Sequence, residues 1–185
     1  MSDASIEPDA LSSVLEDLVP RPMMFPGEDP EAYEGLRQAL LHDLAPRSPY
    51  QRLLAENLVT VEWEAFRHRR MRDDLIRAKA RDLAAGAFTT GEVTEVGANI
   101  AKQNVLSKDL FGSESDMAAA AAAVLEGRKV SVGEIVAKAY SRVSGQVEVH
   151  EKKLAELEIR RRRLSDDFDR LRAATRPPVE DAEIL

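Results

Sequence analysis

The sequence predicts an all-α protein: a helical hairpin, a long C-terminal coiled-coil helix and flexible acidic tails. Three observations lead to this prediction. Only 5% of the 185 residues are aromatic and none is cysteine, whereas alanine, glutamate, arginine and leucine, which favour helices, are frequent. Apolar residues recur at alternating spacings of three and four, as in a heptad repeat. Proline and small polar residues stand where helices are expected to begin and end.

Acidic residues are concentrated at the two ends of the chain. Residues 1–28 have little apolar periodicity and four prolines, so we expect an acidic, mobile arm. Residues 176–185 form a shorter acidic tail. The net charge of the chain is −7, but the first 34 residues hold nine acidic and one basic side chain, and the last ten hold three and one. The chain between these two acidic ends, residues 35–175, is therefore slightly basic, within a helical domain predicted over 29–175.

Two helices are predicted next, at about 30–45 and 49–86. Asp29-Pro30 and Ser48-Pro49 each place a capping side chain before a proline that needs no amide partner in the first turn. The loop between the helices is short, so we expect an antiparallel hairpin. The second helix carries a heptad-like seam, which comprises Leu54, Leu58, Val61, Ala65, His68, Arg72 and Leu75.

The segment 87–114 is predicted to be irregular because glycines interrupt it. Residues 89–96 have some strand character, but an isolated strand pair is only marginally stable in water. We therefore favour a loop with a short helix in this segment. An alanine-rich helix is expected at 116–126, with Gly127 as the residue that ends it.

The last predicted helix spans 132–175 and starts at a capping box, Ser131 with Glu134. Its length is about 65 Å at a rise of 1.5 Å per residue. We expect this helix to pack back on the second helix. A 38-residue second helix cannot cover the whole of the apolar seam, so we also predict association with a second copy of the chain or with another helical protein. The seam comprises Val147, His150, Leu154, Leu157, Arg161, Leu164, Phe168 and Leu171.

Two arginine clusters give an alternative hypothesis, contact with nucleic acid phosphates. Acidic residues are interleaved with both clusters, which is typical of a solvated helix face laced with weak ion pairs. The clusters comprise Arg67, Arg69, Arg70 and Arg72 on the second helix, and Arg160, Arg161, Arg162 and Arg163 on the last helix.

The sequence does not indicate an enzyme. It contains no Gly-x-Ser-x-Gly nucleophile motif and no glycine-rich phosphate loop. Adjacent carboxylates such as Asp73 and Asp74 point to different faces of a helix. We predict neither a cofactor nor a metal site, because no two histidines have ligand spacing. No apolar run could span a membrane, and the acidic N-terminus is unlike a secretion signal, so a cytoplasmic protein is expected.

Several stretches resemble a known group of proteins. These begin at Phe25 (Phe-Pro-Gly-Glu-Asp-Pro-Glu), at Leu44 (Leu-Ala-Pro-Arg-Ser-Pro), at Glu56 and at His150 (His-Glu-Lys-Lys-Leu). Over about 22–75 and 149–171 the chain resembles short, uncharacterised bacterial helical proteins, some of which occur near mobile-element or phage-type genes. The basic Asn-x-x-Lys-His-Gly stretch that usually precedes Pro-Gly-Glu-Asp in that group is replaced here by the acidic arm.

The resemblance implies an accessory factor of a mobile element and assigns no catalytic or binding residues. Together with the seams, it leads us to expect a non-enzymatic interaction or scaffold protein that self-associates through its C-terminal helix.

Overall fold

The computed structural model describes residues 21–88, 96–112 and 114–174, and for 96–102 it describes the backbone only. Over these ranges the protein is all-α, with five helices and no strand, as the sequence predicts. The long C-terminal helix is confirmed as well. The helices are α1 (Pro30–Leu44), α2 (Pro49–Ala87), α3 (Val96–Leu110), α4 (Ser115–Gly127) and α5 (Val132–Ala174).

The predicted capping residues start the first two helices. Asp29 Oδ1 accepts a hydrogen bond from the Glu31 amide at 2.9 Å, with Pro30 in the first turn of α1. Ser48 Oγ accepts one from the Gln51 amide at 3.2 Å. At the other end of α1, Ala45 adopts the left-handed conformation with φ of 44°. The chain therefore turns sharply before α2 begins.

The prediction of an irregular segment at 87–114 needs correction. Val96–Leu110 forms a 15-residue helix, longer than the short helix that the sequence favours. The strand-like stretch lies mostly outside the described residues. The sequence predicts Gly127 just past the end of the alanine-rich helix, but it is the last residue of α4. The left-handed residue after this helix is Lys129, with φ of 60°. Of the predicted acidic arm (1–28) and acidic tail (176–185), only 21–28 belong to the described residues.

The chain divides into two compact units, and the first consists of residues 1–67 with 155–185. In this unit, α1 and the start of α2 enclose a cluster of Tyr33, Val59 and Trp63. A second cluster joins Leu54 and Ala55 of α2 to Phe168 of α5. Arg161, seven residues before Phe168, lies 3.6 Å from Glu62. In this unit, therefore, α5 runs antiparallel to α2.

The second unit consists of residues 68–154. Its core combines small and large apolar side chains from the end of α2 and from α3, α4 and α5. Buried alanines let the helices approach closely, and Phe88, Leu110, Leu125 and Ile135 fill the space between them. The fully buried alanines are Ala80, Ala84, Ala121 and Ala139. Across the described parts of both units, no helix combines the length and apolar character needed to cross a bilayer.

Candidate functional site

The two predicted seams are occupied within the chain. On α2, Leu54, Leu58, Val61 and Ala65 are all buried. On α5, Val147, Leu157 and Phe168 are buried, and His150, Leu154, Leu164 and Leu171 are half-buried. In the first unit, Leu164 and Leu171 pack against the cluster that joins Leu54 and Ala55 to Phe168. In the first unit, the seam residues of α2 and α5 thus pack together within one chain, and self-association through α5 stays a prediction.

The arginine cluster at 160–163 is partly neutralised by ion pairs. Arg161 bonds to Glu158 at 2.8 and 2.9 Å, and Arg162 bonds to the same carboxylate at 3.0 Å. These bonds from Arg161 and Arg162 lower the pKa of Glu158 to about 2. Arg160 and Arg163 are exposed and make no ion pair with the described residues.

The arginines of α2 in the second unit show the same pattern. Arg72 bonds to Asp73 at 2.8 Å and to Glu151 of α5 at 2.9 Å, which raises the pKa of Arg72 above its ordinary value. Arg70 approaches Asp74 at 3.9 Å. Among the α2 arginines of this unit, all of which the structure describes, only Arg69 is exposed without an ion pair. Intramolecular contacts therefore use much of the positive charge that a phosphate backbone would need.

Arg67, in the first unit, has a distinct role as a clamp. It donates two hydrogen bonds to the Glu28 carboxylate, at 2.6 and 2.9 Å, and one to the Met23 carbonyl at 2.8 Å. Its guanidinium also lies 4.5 Å from the centroid of the Phe25 ring. The pKa of Arg67 is raised, with the hydrogen bond to Glu28 as the main cause. One side chain of α2 thereby holds the extended segment 21–28 against the first unit.

The clamped segment presents apolar side chains to solvent. Met24 packs inward on the Trp63 cluster, whereas Met23 is 77% exposed and Phe25 43% exposed. Phe66 is 49% exposed, and its ring lies 5.5 Å from the buried Trp63 ring. We call Met23, Phe25 and Phe66 the apolar patch. The sequence predicts a strap here, but it gives no direct sign that Arg67 and Glu28, 39 residues apart, hold the strap in place.

The histidines of the two seams meet in the second unit, with 2.9 Å between His68 Nδ1 and His150 Nδ1. His42 lies on α1 in the other unit and is exposed. Within the described ranges, no group of three or more histidine, cysteine, aspartate or glutamate side chains is placed to hold a metal ion.

Comparison with known proteins finds no match to any protein-family model, to any curated protein or to any solved structure. The resemblance to bacterial helical proteins therefore stays a prediction.

Proposed function

We propose that this protein is a non-enzymatic helical interaction module, and that it associates with a second copy of itself through the apolar patch. The observation that carries the proposal is the clamp of Arg67 on Glu28, which keeps Met23 and Phe25 at the surface. A flexible segment would lose conformational entropy on binding, and the clamp reduces that cost before the partner arrives. Methionine, phenylalanine and arginine are also enriched where proteins meet.

A second copy of the chain is the partner that the patch fits most directly. In a twofold dimer the same surface faces itself, so an apolar patch on one copy meets an equivalent apolar patch on the other. Association through the α5 seam would require α2 to leave its contacts with Leu164, Phe168 and Leu171. Association through the apolar patch requires no rearrangement of the first unit.

The test is the oligomeric state of the full-length chain, measured by analytical ultracentrifugation over a range of concentrations. We expect a dimer in the native protein and a monomer after Met23→Asp or Phe25→Asp, because each change places a charge in the patch. Tyr50→Asp is the matched control. Tyr50 is an exposed aromatic residue of the same unit, 57% exposed, and lies about 24 Å before Phe66 along α2.

Circular dichroism should show the same helix content for all three variants, since the substituted side chains lie at the surface. If the native protein is still a monomer at about 100 µM, the proposal is overturned. The dissociation constant of the dimer would then be larger than about 100 µM, which is too weak for a stable assembly. The proposal is also overturned if Tyr50→Asp weakens the dimer as much as Met23→Asp does.

Contact with nucleic acid is a second candidate, favoured by the exposed Arg160 and Arg163. Their replacement by glutamine should reduce the slope of affinity for duplex DNA against salt, because two phosphate contacts are lost. Lys138→Gln with Arg142→Gln removes the same charge from exposed positions of α5 in the second unit and serves as the control. Equal effects of the two double variants would contradict a contact at 160–163.

A further inference from the structure

His68 of α2 and His150 of α5 form a direct contact inside the second unit. Their Nδ1 atoms lie 2.9 Å apart, the ring centroids are 5.2 Å apart, and the ring planes are inclined at 55°. Both side chains are half-buried. The distance is that of a hydrogen bond between two ring nitrogens. The contact joins two helices whose other seam positions in this unit are mainly apolar.

A hydrogen bond between two imidazole nitrogens needs one N–H group and one free lone pair. A neutral pair can supply both, because each neutral ring carries its proton on one nitrogen only. A pair with one extra proton can also supply both, as an imidazolium that donates to a neutral ring. With two extra protons, both Nδ1 atoms carry hydrogen and both rings are positive, so the contact is lost.

Charged residues occupy positions close to the pair along both helices. On α2, Glu64 stands one turn before His68 and Arg72 one turn after it. On α5, Glu151 follows His150 directly, and Lys153 comes two residues later. Arg72 bonds to both Glu151 and Asp73. These charges partly screen a second imidazolium, but none of them supplies the lone pair that the contact between the two Nδ1 atoms would then lack.

We propose that His68 and His150 act as a proton-sensitive clasp between α2 and α5 of the second unit, closed with at most one added proton and opened by the second. Free imidazole side chains bind protons at about pH 6.5, so the unfolded chain takes up both protons in the mildly acidic range. The unfolded chain can bind both protons and the closed clasp only one. Stability of the folded state therefore falls as the pH decreases through that range.

The first experiment measures urea unfolding of the full-length protein between pH 7.5 and 5. A difference of one bound proton corresponds to about a tenfold fall in the folding equilibrium constant per pH unit. We expect this fall in the native protein in excess of that in the double variant His68→Leu, His150→Leu, which continues the apolar seams. His42→Gln is the control and should follow the native curve. Parallel curves for the native protein and the double leucine variant overturn the proposal.

The second experiment uses the native protein alone and so does not depend on how a variant folds. Nitrogen-15 NMR of the histidine rings reports how many protons the pair has bound at each pH. We expect the folded pair to bind one proton, and a second only as contacts between α2 and α5 in this unit are lost. Two protonated rings with those contacts intact would overturn the clasp.

Discussion

Arg37 of α1 and Glu56 of α2 are joined by two parallel hydrogen bonds, from Nε to Oε2 at 2.9 Å and from Nη2 to Oε1 at 2.6 Å. Glu56 is only 7% exposed, and it also accepts a bond from Arg52 at 3.2 Å. The hydrogen bonds to Glu56 hold the pKa of Arg37 above its ordinary value. This pair fixes α1 on α2 at a position that apolar packing alone would leave free to slide.

Removal of one partner should therefore destabilise the first unit strongly. Arg37→Ala leaves the buried Glu56 with a weaker set of partners, and we expect a loss of about 3 kcal/mol in the free energy of unfolding. Urea denaturation measures the change. The double variant Arg37→Met, Glu56→Leu removes both members of the buried pair, so no unpaired charge stays buried, and it should recover most of the loss. If the double variant is less stable than Arg37→Ala, the penalty does not come from the unpaired carboxylate.

Glu158 gives a prediction about pH. Arg161 and Arg162 lower its pKa from 4.5 to about 2, so the folded state binds the proton less readily than the unfolded state. The stabilisation is fully present above about pH 4.5 and is lost as the pH falls through about 2. NMR titration of the carboxyl group should show the low midpoint. Arg161→Gln should raise the midpoint, and so should high salt, because the group is exposed to solvent.

Arg70→Gln is the control for that titration, since Arg70 pairs with Asp74 in the other unit. A midpoint near 4.5 in the native protein at low salt would show that the Glu158 bonds do not persist in solution.

The helices could largely be predicted from the sequence because their signals are local. Asp29 with Pro30, and Ser48 with Pro49, mark helix starts through groups only two or three residues apart. The seam pattern likewise identified the buried faces: Leu54, Leu58 and Phe168 are core. Helix α3 is longer than the sequence predicts, because the glycines in and around it and its weak apolar periodicity are typical of a loop.

The site could not be predicted in the same way, since it depends on pairs far apart in the chain. Glu28 and Arg67 look like two ordinary surface charges in the sequence, and so do Arg72 and Glu151. The periodicity of a seam shows that it needs a partner, but it does not show whether the partner belongs to the same chain. The seam pattern therefore led us to expect packing of α5 on the second helix, which the structure shows in the first unit, and self-association through the rest of the seam, which stays a prediction.

Leu157 tests whether the α5 seam is core. It is 2% exposed, whereas Ile159, two residues later, is 52% exposed. Leu157→Ala should lower the free energy of unfolding by about 2–5 kcal/mol, because it leaves a cavity. Ile159→Ala should change it by less than about 0.5 kcal/mol. Urea denaturation at two protein concentrations shows whether Leu157 lies in the core of one chain or at an interface between chains. If the loss of stability depends on protein concentration, Leu157 lies at an interface.

Helix α4 offers a test of the second unit, in which neighbouring alanines have opposite surroundings. Ala121 is fully buried among the other small side chains of the core, and Ala120 is exposed. Ala121→Leu adds three carbons at a fully buried position of the core, and we expect a loss of about 1–3 kcal/mol in the free energy of unfolding. Ala120→Leu adds the same atoms in solvent and should have little effect, because leucine and alanine are both good helix formers.

The pair of variants also checks the orientation of α4, since the two alanines differ by about 100° around the helix axis. Thermal unfolding followed by circular dichroism is sufficient, because the expected difference corresponds to several degrees in Tm. If Ala120→Leu is the more destabilising change, then α4 faces the core with a different side. The place of Ala121 in the core of the second unit would then be wrong, together with the orientation of α4.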